Sequence, residues 1–118
     1  MAPTSVIDTA TIENLRALSP DDNGEFLREI IGIFLSDTPL RITELDQSLA
    51  TGDAVKFTRA AHSIKGSAAN LGAQALVGSA QTLEAESKQK PLTEMTGLLD
   101  ALKAEYARAK VELEKLAT

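Results

Sequence analysis

Apolar residues return every three or four positions along almost the whole chain, and short breaks rich in Gly, Pro and Asp cut that rhythm into segments. Such spacing lays one apolar stripe along a helix, whereas a half-buried strand needs alternation. The chain should therefore fold as a set of amphipathic helices. Composition sharpens this at one point. Aromatic residues make up only 3% and hydrophobic residues 43%, so the core must be built from Leu, Ile, Val and Ala. That suits helices packed on helices better than a β-sandwich.

The breaks place the helices. Asp8 can cap a first short helix carrying Ile12, Leu15 and Leu18. The run from Ser19 to Gly24 is turn-rich. A second segment carries Phe26, Leu27, Ile30, Ile31, Phe34 and Leu35, and Leu40, Ile42, Leu45 and Leu49 continue it past Pro39. Proline lacks an amide donor and crowds the preceding turn, so the spacing predicts one long helix kinked near Asp37–Thr38. Thr51–Gly52 ends it, and Asp53 caps a helix from about Ala54 to Leu71. After Gly72, a helix from roughly Gln74 to Lys88 turns Leu76, Val77, Ala80, Leu83 and Ala85 inward. Beyond Gln89-Lys90-Pro91, a last helix uses Met95, Leu98, Leu99, Leu102, Tyr106, Leu113 and Leu116. Short loops make the long helices antiparallel neighbours. The expected fold is all-α: an antiparallel four-helix bundle with an additional short N-terminal helix, in a single domain over 1–118.

Several function classes are closed off. The chain has no cysteine, which removes disulfides, thiolate catalysis and Cys-based metal centres. A net charge of -5 offers no basic excess for a nucleic-acid backbone. One histidine with scattered carboxylates is a poor metal site, so none is expected. No Gly-rich nucleotide loop is present, so the chain should not use ATP. Met1–Ser5 lacks the basic and apolar segments of a secretion signal, and no apolar run reaches membrane-spanning length. No membrane association and a cytoplasmic location are expected.

His62, the one histidine, carries the chemistry that remains. Phe57, Ala61, Ile64 and Ala68, flanked by Ala60 and Leu71, form the apolar stripe of its helix. At roughly 100° per residue, His62 lies about 130° from the centre of that stripe and faces outward. Val55, Thr58, Arg59, Lys65, Gly66 and Ala69 share its face. Glycine inside a helix costs about 1 kcal/mol against alanine. At Gly66 it leaves open space beside the imidazole for a large group to approach. Lys65 brings an ammonium to that space, suited to offsetting the charge of a phosphoryl group. A neutral imidazole is a competent nucleophile near neutral pH. Alternatively, Gly66 serves close helix contact, and Lys65 and Val55 are ordinary solvated residues.

The stretch Ala61-His62-Ser63-Ile64-Lys65-Gly66-Ser67-Ala68-Ala69-Asn70-Leu71-Gly72-Ala73 resembles the signature of histidine-containing phosphotransfer (HPt) domains. That signature reads His, any residue, an aliphatic, Lys, Gly, two small residues, then an aliphatic followed by Gly. The likeness extends to Ile7-Asp8, the Phe26 to Pro39 segment and Gly52-Asp53. It implies that His62 is phosphorylated, that Lys65 helps hold the phosphoryl group and that Gly66 gives access. It also implies a polar residue on the next helix supporting the imidazole, for which Gln81 and Glu84 are the candidates. Val55, Arg59 and Ala69 are candidate docking residues.

The implied partners are response-regulator receiver domains, a hybrid sensor histidine kinase, or both. The chain would be a monomeric phosphoryl carrier rather than an enzyme. It would need no cofactor of its own, Mg²⁺ being supplied by the receiver. An alternative of another class is a non-catalytic helical adaptor that inhibits a kinase or receiver. A histidine-kinase dimerisation helix fits less well, because Ser63 rather than an acidic residue follows His62 and no proline lies before Gly72.

Overall fold

The computed structural model describes residues 6–117. Met1–Ser5, read above for the lack of a secretion signal, lie outside the described residues. The helices are α1 (Thr9–Leu18), α2 (Glu25–Thr51), α3 (Ala54–Asn70), α4 (Gln74–Ser87) and α5 (Thr96–Ala117). A 3₁₀ turn at Leu92–Glu94 precedes α5, and the described residues include no strand. Met95 is buried in that turn rather than inside the last helix. α2 packs on α3, α3 on α4, α4 on α5 and α5 back on α2, which closes an antiparallel four-helix bundle. The short helix α1 packs against α2.

Acidic caps set the helix starts. Asp8 accepts from the Ala10 N–H and the Thr11 hydroxyl, and Asp53 accepts from the Lys56 N–H at 3.1 Å. Ahead of α2, Asp22 takes the N–H groups of Gly24 and Phe26, at 3.0 and 2.9 Å. These bonds satisfy donors that a helix N-terminus leaves without partners.

α2 runs unbroken through Pro39, one helix rather than two. The ion pair of Asp37 with Arg41 spans the proline, and the Thr43 hydroxyl donates to the Pro39 carbonyl at 3.0 Å. The inward stripe of α2 is Leu27, Ile31, Phe34, Thr38, Leu45 and Ser48. Leu40 falls off that register and is 60% exposed, against its expected place in the apolar pattern. Leu18, at the last turn of a ten-residue helix, has left the contact that buries Ile12 and is 68% exposed. Ala85 is also exposed, because the α4 stripe runs Leu76, Ala80, Leu83 and Ser87.

The core joins these stripes in one buried cluster, to which α2 gives Leu27, Ile31 and Leu45, α3 gives Phe57 and Ile64, α4 gives Leu83 and α5 gives Leu102 and Leu113. Each fully buried side chain of this size contributes about 1.5–3 kcal/mol. Phe34 and Tyr106 pack ring to ring across α2 and α5, with centroids 5.8 Å apart. α3 and α4 make the most extensive contact in the molecule. Alanines on both, Ala60, Ala61, Ala68 and Ala80, are buried there and let the backbones come close.

Candidate functional site

The site lies on the seam between α3 and α4. Phe57, Ala60, Ala61, Ile64 and Ala68 are all buried, so the outward face of α3 falls where the stripe places it. His62 stands on that face with 66% of its side chain exposed.

Its Nδ1 lies 2.8 Å from Oε2 of Glu84 on α4, and Lys65 donates from Nζ to the other carboxylate oxygen at 2.7 Å. One carboxylate thus joins the two polar residues of α3. The Glu84 side chain is only 13% exposed, and Lys88, one turn on, adds a second cation at 3.8 Å. The hydrogen bond from Lys65 holds the Glu84 carboxyl below the usual carboxylate range, with His62 adding to the effect and burial opposing it. Glu84 is therefore ionised at neutral pH, and an ionised carboxylate can only accept. The proton of a neutral His62 must then sit on Nδ1, which leaves the Nε2 lone pair free.

The backbone that carries Glu84 is pinned from behind. Ser87 is buried and donates to the Glu84 carbonyl at 2.9 Å. With its one proton used there, Ser87 accepts from the Thr58 hydroxyl at 2.7 Å, which ties α4 to α3 one turn from His62. Sequence reasoning missed this strut. A serine standing in the buried stripe of α4 was the signal for it.

Gly66 opens the helix beside the imidazole: a Cβ added there would meet nothing within 4 Å. Two hollows flank His62. One, of about 570 Å³, lies toward α4 and is mainly apolar, with Val55, Arg59 and Lys88 in its wall. The other, of about 680 Å³, lies toward α2 and is mainly polar, with Gly66, Asp37 and Arg41 in its wall. Val55 is 68% exposed and Arg59 is exposed beside it. Ala69 is exposed but lines neither hollow. Of the two residues considered for imidazole contact, Gln81 points to solvent and Glu84 meets the ring. Arg41 and Asp37 were not read from the sequence as part of this surface.

No group of three or more His, Asp or Glu among the described residues is placed to hold a metal ion. No helix among them is long and apolar enough to cross a membrane.

A helical bundle that presents one solvent-facing histidine, backed by a carboxylate and flanked by a lysine and a glycine notch, has the form of a phosphoryl-accepting module. The family model of the Hpt domain matches residues 29–112, and the chain belongs to that family. It is a histidine phosphotransfer protein of two-component phosphorelays. The crystal structure of histidine-containing phosphotransfer protein B (HptB) from Pseudomonas aeruginosa PAO1 superposes with a TM-score of 0.82 at 24% identity, over 96% of this chain and 95% of that one. That likeness shows the shared fold. No curated protein matches the sequence.

Proposed function

We propose that the chain shuttles a phosphoryl group between receiver-domain aspartates by way of Nε2 of His62. The observation that carries this reading is the 2.8 Å contact of Nδ1 with Glu84, which leaves Nε2 as the nucleophile on an open face. The Nε2 lone pair attacks the phosphorus of an aspartyl phosphate. The bond from phosphorus to the aspartate oxygen breaks, and its electron pair leaves on the carboxylate. The ring then bears the phosphoryl group on Nε2 and keeps its proton on Nδ1. Its positive charge faces Glu84, which steadies the loaded ring while the bond from nitrogen to phosphorus stays reactive toward the next aspartate. Positioning and charge supply most of the rate in such transfer.

Lys65 stands one turn from the ring, within reach of the phosphoryl oxygens once it releases Glu84. Val55 and Arg59 offer the receiver an apolar wall with a cation at its edge, and Ala69 extends that face. On this reading the chain is a single-domain, monomeric carrier in the cytoplasm with no ATP site of its own, and a hybrid kinase or a receiver loads it. Mg²⁺ held by the receiver would supply charge neutralisation at the aspartyl phosphate.

The test is transfer from a phosphorylated, labelled receiver to the wild type and to His62→Gln. The wild type should gain an acid-labile, alkali-stable label, and His62→Gln should gain none. A wild type that stays unlabelled, or a His62→Gln variant that labels equally, would sink the proposal. Receiver binding without label on either protein would instead favour the adaptor reading.

A further inference from the structure

Glu84 and Lys65 both lie on the α4 side of the imidazole, and Lys65 is held there by its 2.7 Å bond to Glu84. The two ring nitrogens point away from one another, so Nε2 is turned away from Glu84. The Gly66 notch opens into the polar hollow, whose wall includes Ser63, Gly66 and Ser67 of α3 and Asp37 and Arg41 of α2. The serine side chains there make no hydrogen bond among the described residues and are free to donate. Arg41 is the one permanent cation in the wall of that hollow.

Arg41 is held ready rather than buried. Its guanidinium bonds Asp37 through Nε at 3.5 Å and Nη2 at 3.3 Å, and Glu44 through Nη1. Its side chain is 35% exposed. The Asp37 bonds are long, and five donors in a planar fork allow Arg41 to keep Glu44 while turning toward a new anion. A phosphoryl group brings a doubly charged, three-oxygen acceptor, a better match for that fork than one carboxylate at 3.3 Å.

We propose that Arg41 is a phosphoryl-anchoring residue, which leaves Asp37 to grip the oxygens of the group arriving at Nε2 across the Gly66 notch. This rests on the reading of His62 as the phosphoacceptor. Asp37 is then a competitor that holds Arg41 in the unloaded protein. The two residues of one ion pair have opposite effects on transfer. A merely structural pair would have the same effect whichever partner was removed.

Phosphoramidate, a small phosphoryl donor, tests this without a receiver. Nε2 attacks its phosphorus, the bond from phosphorus to the protonated amine breaks, and ammonia leaves. Phosphohistidine formation is followed by ³¹P NMR, with circular dichroism to confirm that each variant is folded. Arg41→Met should slow loading by about five- to tenfold, the loss expected for one partly exposed charged donor. Arg41→Lys, which keeps the charge but not the fork, should recover only part of the rate, and Asp37→Asn should load about two- to threefold faster than wild type, as expected when a competing surface ion pair is removed. Equal rates for wild type and Arg41→Met, or slower loading in both Arg41→Met and Asp37→Asn, would overturn the anchoring role alone. No phosphohistidine on the wild type would overturn the phosphoacceptor reading and this inference with it.

Discussion

Gly66 and Gly72 stand in and just after the same helix, and they answer to opposite constraints. At Gly72 the backbone has φ +70°, and an added Cβ would lie 2.8 Å from the Thr11 Cβ and 3.0 Å from the Asp8 Cβ. Its carbonyl receives the Asp8 N–H at 2.8 Å, so the turn between α3 and α4 is the place where α1 is fastened. At Gly66 the backbone is ordinary helix and an added Cβ would touch nothing within 4 Å. One glycine is required by the fold. The other weakens its helix and returns no contact within the folded chain. On the proposed reading, this unfilled, destabilising position beside His62 is space kept for the phosphoryl group and its donor.

Substituting each glycine should break the likeness between them. Gly72→Ala meets a left-handed backbone, which costs about 1–2 kcal/mol for a side chain, and a clash with the stem of Thr11 rather than a flexible tip. Overpacking of that kind costs about 1–3 kcal/mol. Together they should lower stability by roughly 2–5 kcal/mol, read as a fall in the urea midpoint with little change in slope. The protein that remains folded should still accept phosphate on His62. An unchanged midpoint would show that α1 is not fastened where the turn and the Asp8 bond place it.

Glu84 lies between the two glycines in what it does, since it ties α4 to α3 and also orients the ring. Glu84→Gln keeps the shape but loses the ionic acceptor, and should cost about 1–2 kcal/mol at neutral pH. The sign with pH follows from its lowered pKa. A carboxyl depressed in the folded state contributes fully above its unfolded value, about 4.3 for Glu. The contribution is lost as pH falls through the folded value. The stability gap between wild type and Glu84→Gln should therefore hold at neutral pH and close below about pH 4. A gap that stayed constant on acidification would mean that the carboxylate charge plays no part. Loading of His62 should also slow in Glu84→Gln, because an amide can offer a donor to Nδ1 and favour the wrong tautomer.

The sequence carried most of the fold because helical periodicity is local. The stripe of Phe57, Ala61, Ile64 and Ala68 is enough to turn His62 outward, and the Asp8 and Asp53 caps are legible from residue type and position. What it did not carry depends on how one helix sits against another. Gln81 and Glu84 are a turn apart on α4, and only the register of α4 on α3 decides that Glu84 meets the ring. Arg41 and Asp37 reach the site from α2, at a distance along the chain that no spacing rule within α3 can span. Leu40 looked apolar and inward, while Thr38 and Ser48 took buried places in the α2 stripe. Ser48 manages this by donating to the Glu44 carbonyl at 2.6 Å, a local bond that the apolar pattern conceals.

The smallest expected change in stability is the most discriminating. Gly66→Ala adds a methyl group to an exposed helix position with open space around it. By propensity alone it should stabilise the protein by about 0.5–1 kcal/mol. If Gly66 served close packing, the same change would destabilise, as Gly72→Ala should. If the notch is kept for the phosphoryl group and the surface that delivers it, Gly66→Ala should be more stable and yet load more slowly, and a larger Gly66→Leu slower still. Opposed movements of midpoint and transfer rate cannot come from damage to the fold, since the damaged property has improved. A variant that gained stability and kept its full transfer rate would leave the cost of glycine in α3 without a functional reason.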